Sequence, residues 1–117
     1  MSEHDEATYA VRIKPLSVND AWQGRRFKTP EYRSYEKALM LMLPKIEVPE
    51  GPLELEMRVG YSNKASDIDN FVKPFVDVMQ KKYGFNDNRI YRLVIEKSVM
   101  LKGAEFVSFR FRAMEQP

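Results

Sequence analysis

Asp67 and Asp69 stand two residues apart, Asn70 follows them, and Lys73 lies one helical turn further on. A third acid, Asp87, follows after a gap. Three carboxylates and a lysine are the groups an oxygen-ligated divalent cation needs to work on a phosphodiester. Hard oxygen ligands with no histidine or thiolate among them select Mg²⁺, with Mn²⁺ as a substitute, over zinc or copper. Such an ion polarises a phosphoryl oxygen and acidifies a bound water into a nucleophile. Lys73 could hold the scissile phosphate or stabilise the charge that develops as the bond breaks.

The same residues have plainer readings. Ser66 or Asp67 could cap a helix, and Asp69 with Lys73 could form an exposed i,i+4 pair. Asp87, in Asn86-Asp87-Asn88, is a residue a polar turn would contain anyway. Asp77, two turns beyond Asp69, reads as a structural or supporting acid. A calcium loop does not fit, because the alternating oxygen ligands break at Phe71 and Val72.

Composition removes most competing chemistry. The chain has no cysteine, so no thiolate nucleophile, zinc knuckle or iron–sulfur ligand. Its only histidine is His4, near the N-terminus, which argues against a Ser-His-Asp triad or a histidine base. The five glycines are scattered, and no phosphate-binding or dinucleotide loop is present. No organic cofactor is expected. No apolar run has the length of a membrane span and the opening residues lack a signal core, so a cytoplasmic protein with no membrane partner is expected.

Net charge is only +2, but it is unevenly spread. Arg25, Arg26 and Lys28 precede the acidic motif, and Lys81 and Lys82 follow it. Base clustered near acid suits a polyanionic partner with a metal between them, although a solvated surface would read the same way. These five residues are the candidates for contacts to a nucleic-acid backbone.

The positioning elements follow from periodicity. Thr8 to Ile13 reads as a strand, residues 14–24 as a loop, and Arg25 to Lys28 as a second short strand. Thr29-Pro30-Glu31 is a helix start, with a hydroxyl cap, proline at the first position and an acid in the first turn. Tyr32, Tyr35, Leu39 and Leu43 then recur at helical spacing up to Pro44. From Leu53 to Tyr61 apolar and charged residues alternate, as in a half-buried strand. Ile68, Phe71, Val72, Phe75, Val76 and Met79 mark a second amphipathic helix. Pro74 means that this helix either starts near Asn70 or kinks. Residues 81–88 read as a loop, Ile90 to Leu101 and Ala104 to Arg112 as strands joined by a tight turn at Lys102-Gly103. The expected fold is α+β: one two-layer domain over residues 1–117, with a disordered tail at 1–7. Two main helices pack on one face of a mixed or antiparallel sheet.

Where the acids sit relative to the helix matters. Residues i and i+2 of a helix point about 200° apart, whereas in an extended segment they share a side. Both aspartates therefore belong in an extended run ahead of the helix, close to its partly positive N-terminus. Asp87 is expected to return to the same place because the intervening helix doubles back.

The segment Asp67-Ile68-Asp69-Asn70-Phe71-Val72-Lys73-Pro74-Phe75-Val76-Asp77, followed by Gly84-Phe85-Asn86-Asp87-Asn88-Arg89-Ile90, resembles the RusA family of Holliday junction resolvases. Pro15-Leu16-Ser17-Val18-Asn19 looks like that family's P-x-S-x-N element, and the likeness runs from about residue 9 to 112. It implies that Asp67, Asp69 and Asp87 are metal-binding catalytic aspartates and Lys73 a catalytic lysine. It also implies a Mg²⁺-dependent homodimer that nicks opposing strands of a four-way DNA junction in recombination and repair, often phage or prophage encoded. Many members carry paired acids where this chain has Asn86-Asp87-Asn88, so Asp87 is the one acid available there.

Three rivals stay open: a flap or other branched-DNA nuclease, a non-catalytic module that binds branched DNA, and an RNA-binding fold stacking bases on Tyr91, Phe106 or Phe109. Those aromatics lie in apolar runs that suit a core equally well.

Overall fold

In the computed structural model, which describes residues 6–24 and 27–115, the chain begins with β1 (Tyr9–Val11), a one-turn helix α1 (Val18–Ala21) and the short strands β2 (Trp22–Gln23) and β3 (Phe27–Lys28). Helix α2 (Pro30–Met42), strand β4 (Leu53–Tyr61) and helix α3 (Val72–Tyr83) follow. A 3₁₀ turn (Asp87–Arg89), β5 (Ile90–Val99) and β6 (Phe106–Ala113) complete it. The main sheet has the order β1-β6-β4-β5, with β5 parallel to β4 and the other pairs antiparallel; β2 and β3 form a separate hairpin. This is the expected α+β architecture with a mixed sheet.

The sheet separates its faces by the alternation legible in β4. Leu53, Leu55, Met57, Val59 and Tyr61 are buried with Val107, Phe109 and Phe111 of β6. Tyr32, Tyr35 and Leu39 of α2, and Phe75, Val78 and Met79 of α3, join the same core. The opposite face is polar: Arg92 and Arg112 flank Glu54, and Arg58 pairs with Glu96. Gly60 lies on that face where β6 comes close. A Cβ there would stand 2.4 Å from Phe106 Cε1.

The start of α2 follows the sequence signals. Thr29 caps it, its hydroxyl accepting the Tyr32 N–H at 3.1 Å, and Pro30 is the first helical residue. Helix α3 begins at Val72, so Pro74 falls in its first turn, where no intrahelical donor is needed, and no kink results. Ile68 is 43% exposed and outside the helix, so it does not belong to the apolar face.

Two expected loops carry structure. Within residues 14–24, Ser17 caps α1 by accepting the Asn19 N–H, and Ala21 is fully buried. Within 81–88, α3 continues to Tyr83 because its last turn is stabilised on three sides. Lys81 and Lys82 suit the negative helix end, and the Tyr83 hydroxyl donates to Pro44 O at 2.7 Å. Gly84, at φ 71°, closes the helix in the left-handed conformation. Of the expected tail over 1–7, residues 1–5 lie outside the described residues. Glu6 is tied to β6, its carbonyl accepting Arg110 Nε at 2.7 Å.

Candidate active site

The acidic strip hangs from the end of β4. The Tyr61 hydroxyl donates to Asp67 O at 3.0 Å. Lys97, on β5, donates its Nζ to Lys64 O at 3.0 Å and to Ser66 O. Asn63 Oδ1 accepts the N–H groups of Ala65 and Ser66. The strip then folds through two overlapping turns, Asn70 N–H to Asp67 O (3.3 Å) and Val72 N–H to Asp69 O (3.1 Å). Asp67 to Asn70 is therefore turned, where an extended run was expected, because these carbonyls find donors three residues on. Asn70 O accepts the Val18 N–H at 2.8 Å, which fastens α1 to the strip.

Of the plain readings of the acids, the helix cap and the Asp69–Lys73 pair do not hold, whereas Asp87 does lie in a polar turn, the 3₁₀ turn Asp87–Arg89. The N-cap of α3 is Phe71, with no side-chain cap bond, so neither Ser66 nor Asp67 caps it. Lys73 pairs with Asp77 at 3.0 Å, not with Asp69. Asn86 makes the polar turn before β5, its side chain accepting the Asn88 N–H at 2.9 Å. No hydrogen bond or ion pair within the described chain uses the carboxylates of Asp67, Asp69 or Asp87.

Asp77 is the organising acid. Its carboxylate accepts from Lys73 Nζ, from Gln80 Nε2 at 3.3 Å and from the Tyr32 hydroxyl at 3.5 Å. Gln80 Oε1 in turn accepts the backbone N–H of Asp87 at 2.8 Å. One carboxylate thus links the lysine to the segment that carries the third aspartate. Burial, then the charges of Asp77 and Glu36, push the Tyr32 phenol well above its ordinary range.

A groove of about 570 Å³ runs along α3 and is lined by Asp69, Asn70, Lys73, Val76, Asp87 and Leu93, among others. Asp69 and Asp87 share it without meeting. The strip follows Tyr61, whose β5 partner is Val99, whereas Asp87 precedes Ile90, which pairs with Leu53 at the other end of β4. The expected convergence of Asp87 with Asp67 and Asp69 does not occur within one chain. Helix α3 doubles back along β4, so its two ends lie at opposite ends of the strand. Among the described residues no group of three or more acids or histidines is placed to hold a metal ion. Asp67 and Asp69 do act together on Tyr61. Burial raises its phenol first and a Phe71 backbone hydrogen bond lowers it; with the charges of Asp69 and Asp67 the phenol is pushed up to about 12.

The basic candidates fall into two groups. Arg25 and Arg26 lie outside the described residues. Lys28 and Lys81 meet at Glu36 of α2, at 2.9 and 3.5 Å, and Lys82 donates to Met40 O. Burial pushes the Glu36 carboxyl up, but the hydrogen bond and charge of Lys28, with those of Lys81, outweigh it and hold Glu36 below its ordinary value. Of the proposed aromatic stackers, Phe109 is buried and Phe106 half-buried, while Tyr91 is exposed on β5.

Sequence reasoning missed Tyr61, Lys97 and Gln80 as positioning residues. Lys97 left a signal: a lone cation at an inward register position between Ile95 and Val99. Tyr61 was the polar-tipped last residue of the alternation. Gln80 left none, since its role depends on how α3 and the 3₁₀ turn pack.

The family model described as Endodeoxyribonuclease RusA matches residues 14–107, which include every element from α1 to the start of β6. The chain belongs to the RusA family. It is therefore an endodeoxyribonuclease, an enzyme that hydrolyses DNA phosphodiester bonds, and membership implies action on Holliday junctions. The comparison with curated proteins finds no match. Among the described residues no helix is long and apolar enough to cross a membrane.

Proposed function

We propose that this RusA-family enzyme resolves four-way DNA junctions by paired, symmetric nicks, as a Mg²⁺-dependent homodimer acting in the cytoplasm during recombination and repair. The observation that carries the reading is the idleness of Asp67, Asp69 and Asp87, three carboxylates that serve no cap, turn or ion pair in the described chain. Carboxylates kept free of protein partners fit an oxygen-ligated cation. Mn²⁺ would substitute. The ion would supply Lewis-acid polarisation and an acidified water.

Lys73, Asp77 and Gln80 act around that centre. Lys73 lines the groove and would donate to a phosphate oxygen, and Asp77 limits the positions its ammonium can take. Lys28, Lys81 and Lys82, with Arg25 and Arg26, would contact the backbone without reading sequence. The contacts of Lys81 and Lys82 are exposed ones worth roughly 0–1 kcal/mol, so phosphate can replace Glu36 or a carbonyl as their partner, whereas the Lys28–Glu36 pair is part-buried. A junction has near two-fold symmetry and needs two cuts, which suits a two-fold dimer with one centre per subunit.

The test compares a synthetic four-way junction with linear duplex, flap and single strand, in Mg²⁺ and in EDTA. Paired nicks on the junction alone, lost in EDTA, are expected. Asp69→Asn should abolish cutting while leaving junction binding as tight or tighter, because it removes negative charge facing phosphate. Preferential cutting of the flap would make the enzyme a nuclease of another branched structure. Junction binding without cutting in Mg²⁺ would make it a non-catalytic module.

A further inference from the structure

The β2–β3 hairpin holds an aromatic ring out to solvent on an anchored base. Its register pairs Trp22 with Lys28 and Gln23 with Phe27. Facing residues share a side of the ladder and successive residues alternate, so the two pairs point opposite ways. Trp22 and Lys28 turn inward onto α2. The Trp22 ring meets that of Tyr32 edge-on at 5.5 Å, and the Lys28 ammonium stands 5.0 Å from the centre of the same Tyr32 ring. The Thr29 hydroxyl donates to Asp20 O at 2.6 Å and the Thr29 N–H to Ala21 O at 3.0 Å, which fastens the hairpin to α1. Gln23 and Phe27 are left on the outer side, and Phe27 is 67% exposed.

One exposed apolar side chain is ordinary at a protein surface. The setting of this one is not. Phe27 walls an open recess of about 480 Å³ together with Gln23, Lys28, Pro30 and Arg33. Pro30 and Arg33 are three positions apart at the start of α2 and so share a helix face. Arg33 is exposed, and its guanidinium has no ion pair or hydrogen bond among the described residues. Two flat apolar surfaces, a planar cation and an amide thus border one space. Among the described residues no carboxylate lines it, so nothing there repels a polyanion. An aromatic face beside an unpaired arginine suits a nucleobase with its phosphate. The ring stacks on the base, and the guanidinium takes the phosphate oxygens.

Continuous duplex hides its base faces in the stack, whereas each arm of a branched DNA ends in a base pair whose outer face can be opened. We propose that Phe27 stacks on a base opened at the branch point, with Arg33 on the adjoining phosphate, and that this contact makes the enzyme prefer branched DNA to continuous duplex. The proposal rests on the reading of the enzyme as a junction nuclease. It supplies a source of selectivity, since lysines on phosphate bind any duplex. The hairpin is also placed to set the register of cutting. Tyr32, on which it sits, reaches Asp77, and Asp77 holds Lys73. A branch point fixed on Phe27 is thereby fixed relative to the groove that Lys73 lines.

Binding measured in EDTA, where no strand is cut, tests this on the intact chain. Four-way junction, flap and linear duplex are titrated with wild type and with variants at position 27, whose exposure predicts unchanged melting temperatures. Phe27→Ala should bind the junction about 5–100-fold more weakly, as loss of one base–aromatic stack does, and linear duplex within about twofold of wild type. Phe27→Leu keeps apolar bulk without a π face and should fall with Phe27→Ala. Phe27→Trp should bind as wild type does. Its added indole should be quenched by the junction and not by linear duplex, over the background of Trp22, the chain's own tryptophan. Arg33→Ala should weaken binding to both DNAs, with the slope of log affinity on log salt shallower by about one.

Equal losses on junction and duplex in Phe27→Ala overturn the stack, as does a Phe27→Leu protein that matches wild type or an indole that the junction leaves unquenched. Unchanged salt dependence in Arg33→Ala overturns the part given to the arginine. Wild type that prefers the junction, with that preference kept in Phe27→Ala, overturns the stack and leaves the junction nuclease reading untouched. Wild type that prefers the flap, with that preference lost in Phe27→Ala, overturns the four-way reading and leaves the stack standing.

Discussion

Asp77→Ala tests whether Asp77 only positions Lys73, the lysine proposed above to be catalytic, or takes part in the chemistry itself. The Lys73–Asp77 pair is exposed, 59% on the lysine side and 24% on the aspartate, so it stabilises by roughly 0.3–0.5 kcal/mol. The Gln80 bond to a charged oxygen adds about 1 kcal/mol at most at its length of 3.3 Å. The Tyr32 contact at 3.5 Å adds little. The variant should therefore lose about 1–2 kcal/mol of stability, a drop in melting temperature of roughly 4–8 °C for a chain of this size. Its effect on rate should be modest as well. Releasing a tether of about 0.5 kcal/mol lowers the population of the productive Lys73 rotamer about twofold, and loosening Gln80 costs Asp87 a further small factor. A kcat loss of about 2–10-fold is expected, with junction affinity unchanged. Lys73→Ala removes the ammonium itself and should cost about 10²–10³-fold, as loss of a charge-stabilising donor does. Single-turnover cleavage of a labelled junction by folded protein at 25 °C measures both. An Asp77→Ala loss as deep as that of Lys73→Ala would refute the positioning account and make Asp77 a fourth working acid. No loss at all would refute the relay.

The Tyr61 phenol gives a metal assay free of catalysis. Its titration, followed at 295 nm, should be centred near 12, and Asp69→Asn or saturating Mg²⁺ should lower it by removing or neutralising negative charge. The phenol is raised from an ordinary value near 10, so the stability it contributes is complete below pH 10 and lost as pH rises toward 12. Alkaline melting curves should fall across that window, and less steeply in Tyr61→Phe. Gly60→Ala should destabilise by about 1–3 kcal/mol through overpacking against the Phe106 ring and Met100, read as a lower urea midpoint at constant slope. Tyr35→Phe should cost nothing or raise the melting temperature. The Tyr35 hydroxyl is the buried side-chain polar atom without a partner among the described residues, and burial drives its phenol far above the ordinary range.

Local chemistry made much of this molecule readable in one dimension. Thr29 and Pro30 start α2 because a cap and a pre-set φ act within one turn, and the Leu53–Tyr61 alternation names its buried face because strand side chains alternate strictly. Asp67, Asp69 and Lys73 stood out because few other groups in the chain can do chemistry, and a short segment carries them. Packing over long separations governed the rest. Helix α3 runs on to Tyr83 because Lys81, Lys82 and Tyr83 find partners on other elements, and the α1 turn is fastened where Val18 meets Asn70. Above all, the distance between Asp87 and the other two aspartates follows from β5 lying parallel to β4. Strand direction is chosen by which edges and faces bury the most apolar surface, an outcome that no short stretch of residues encodes.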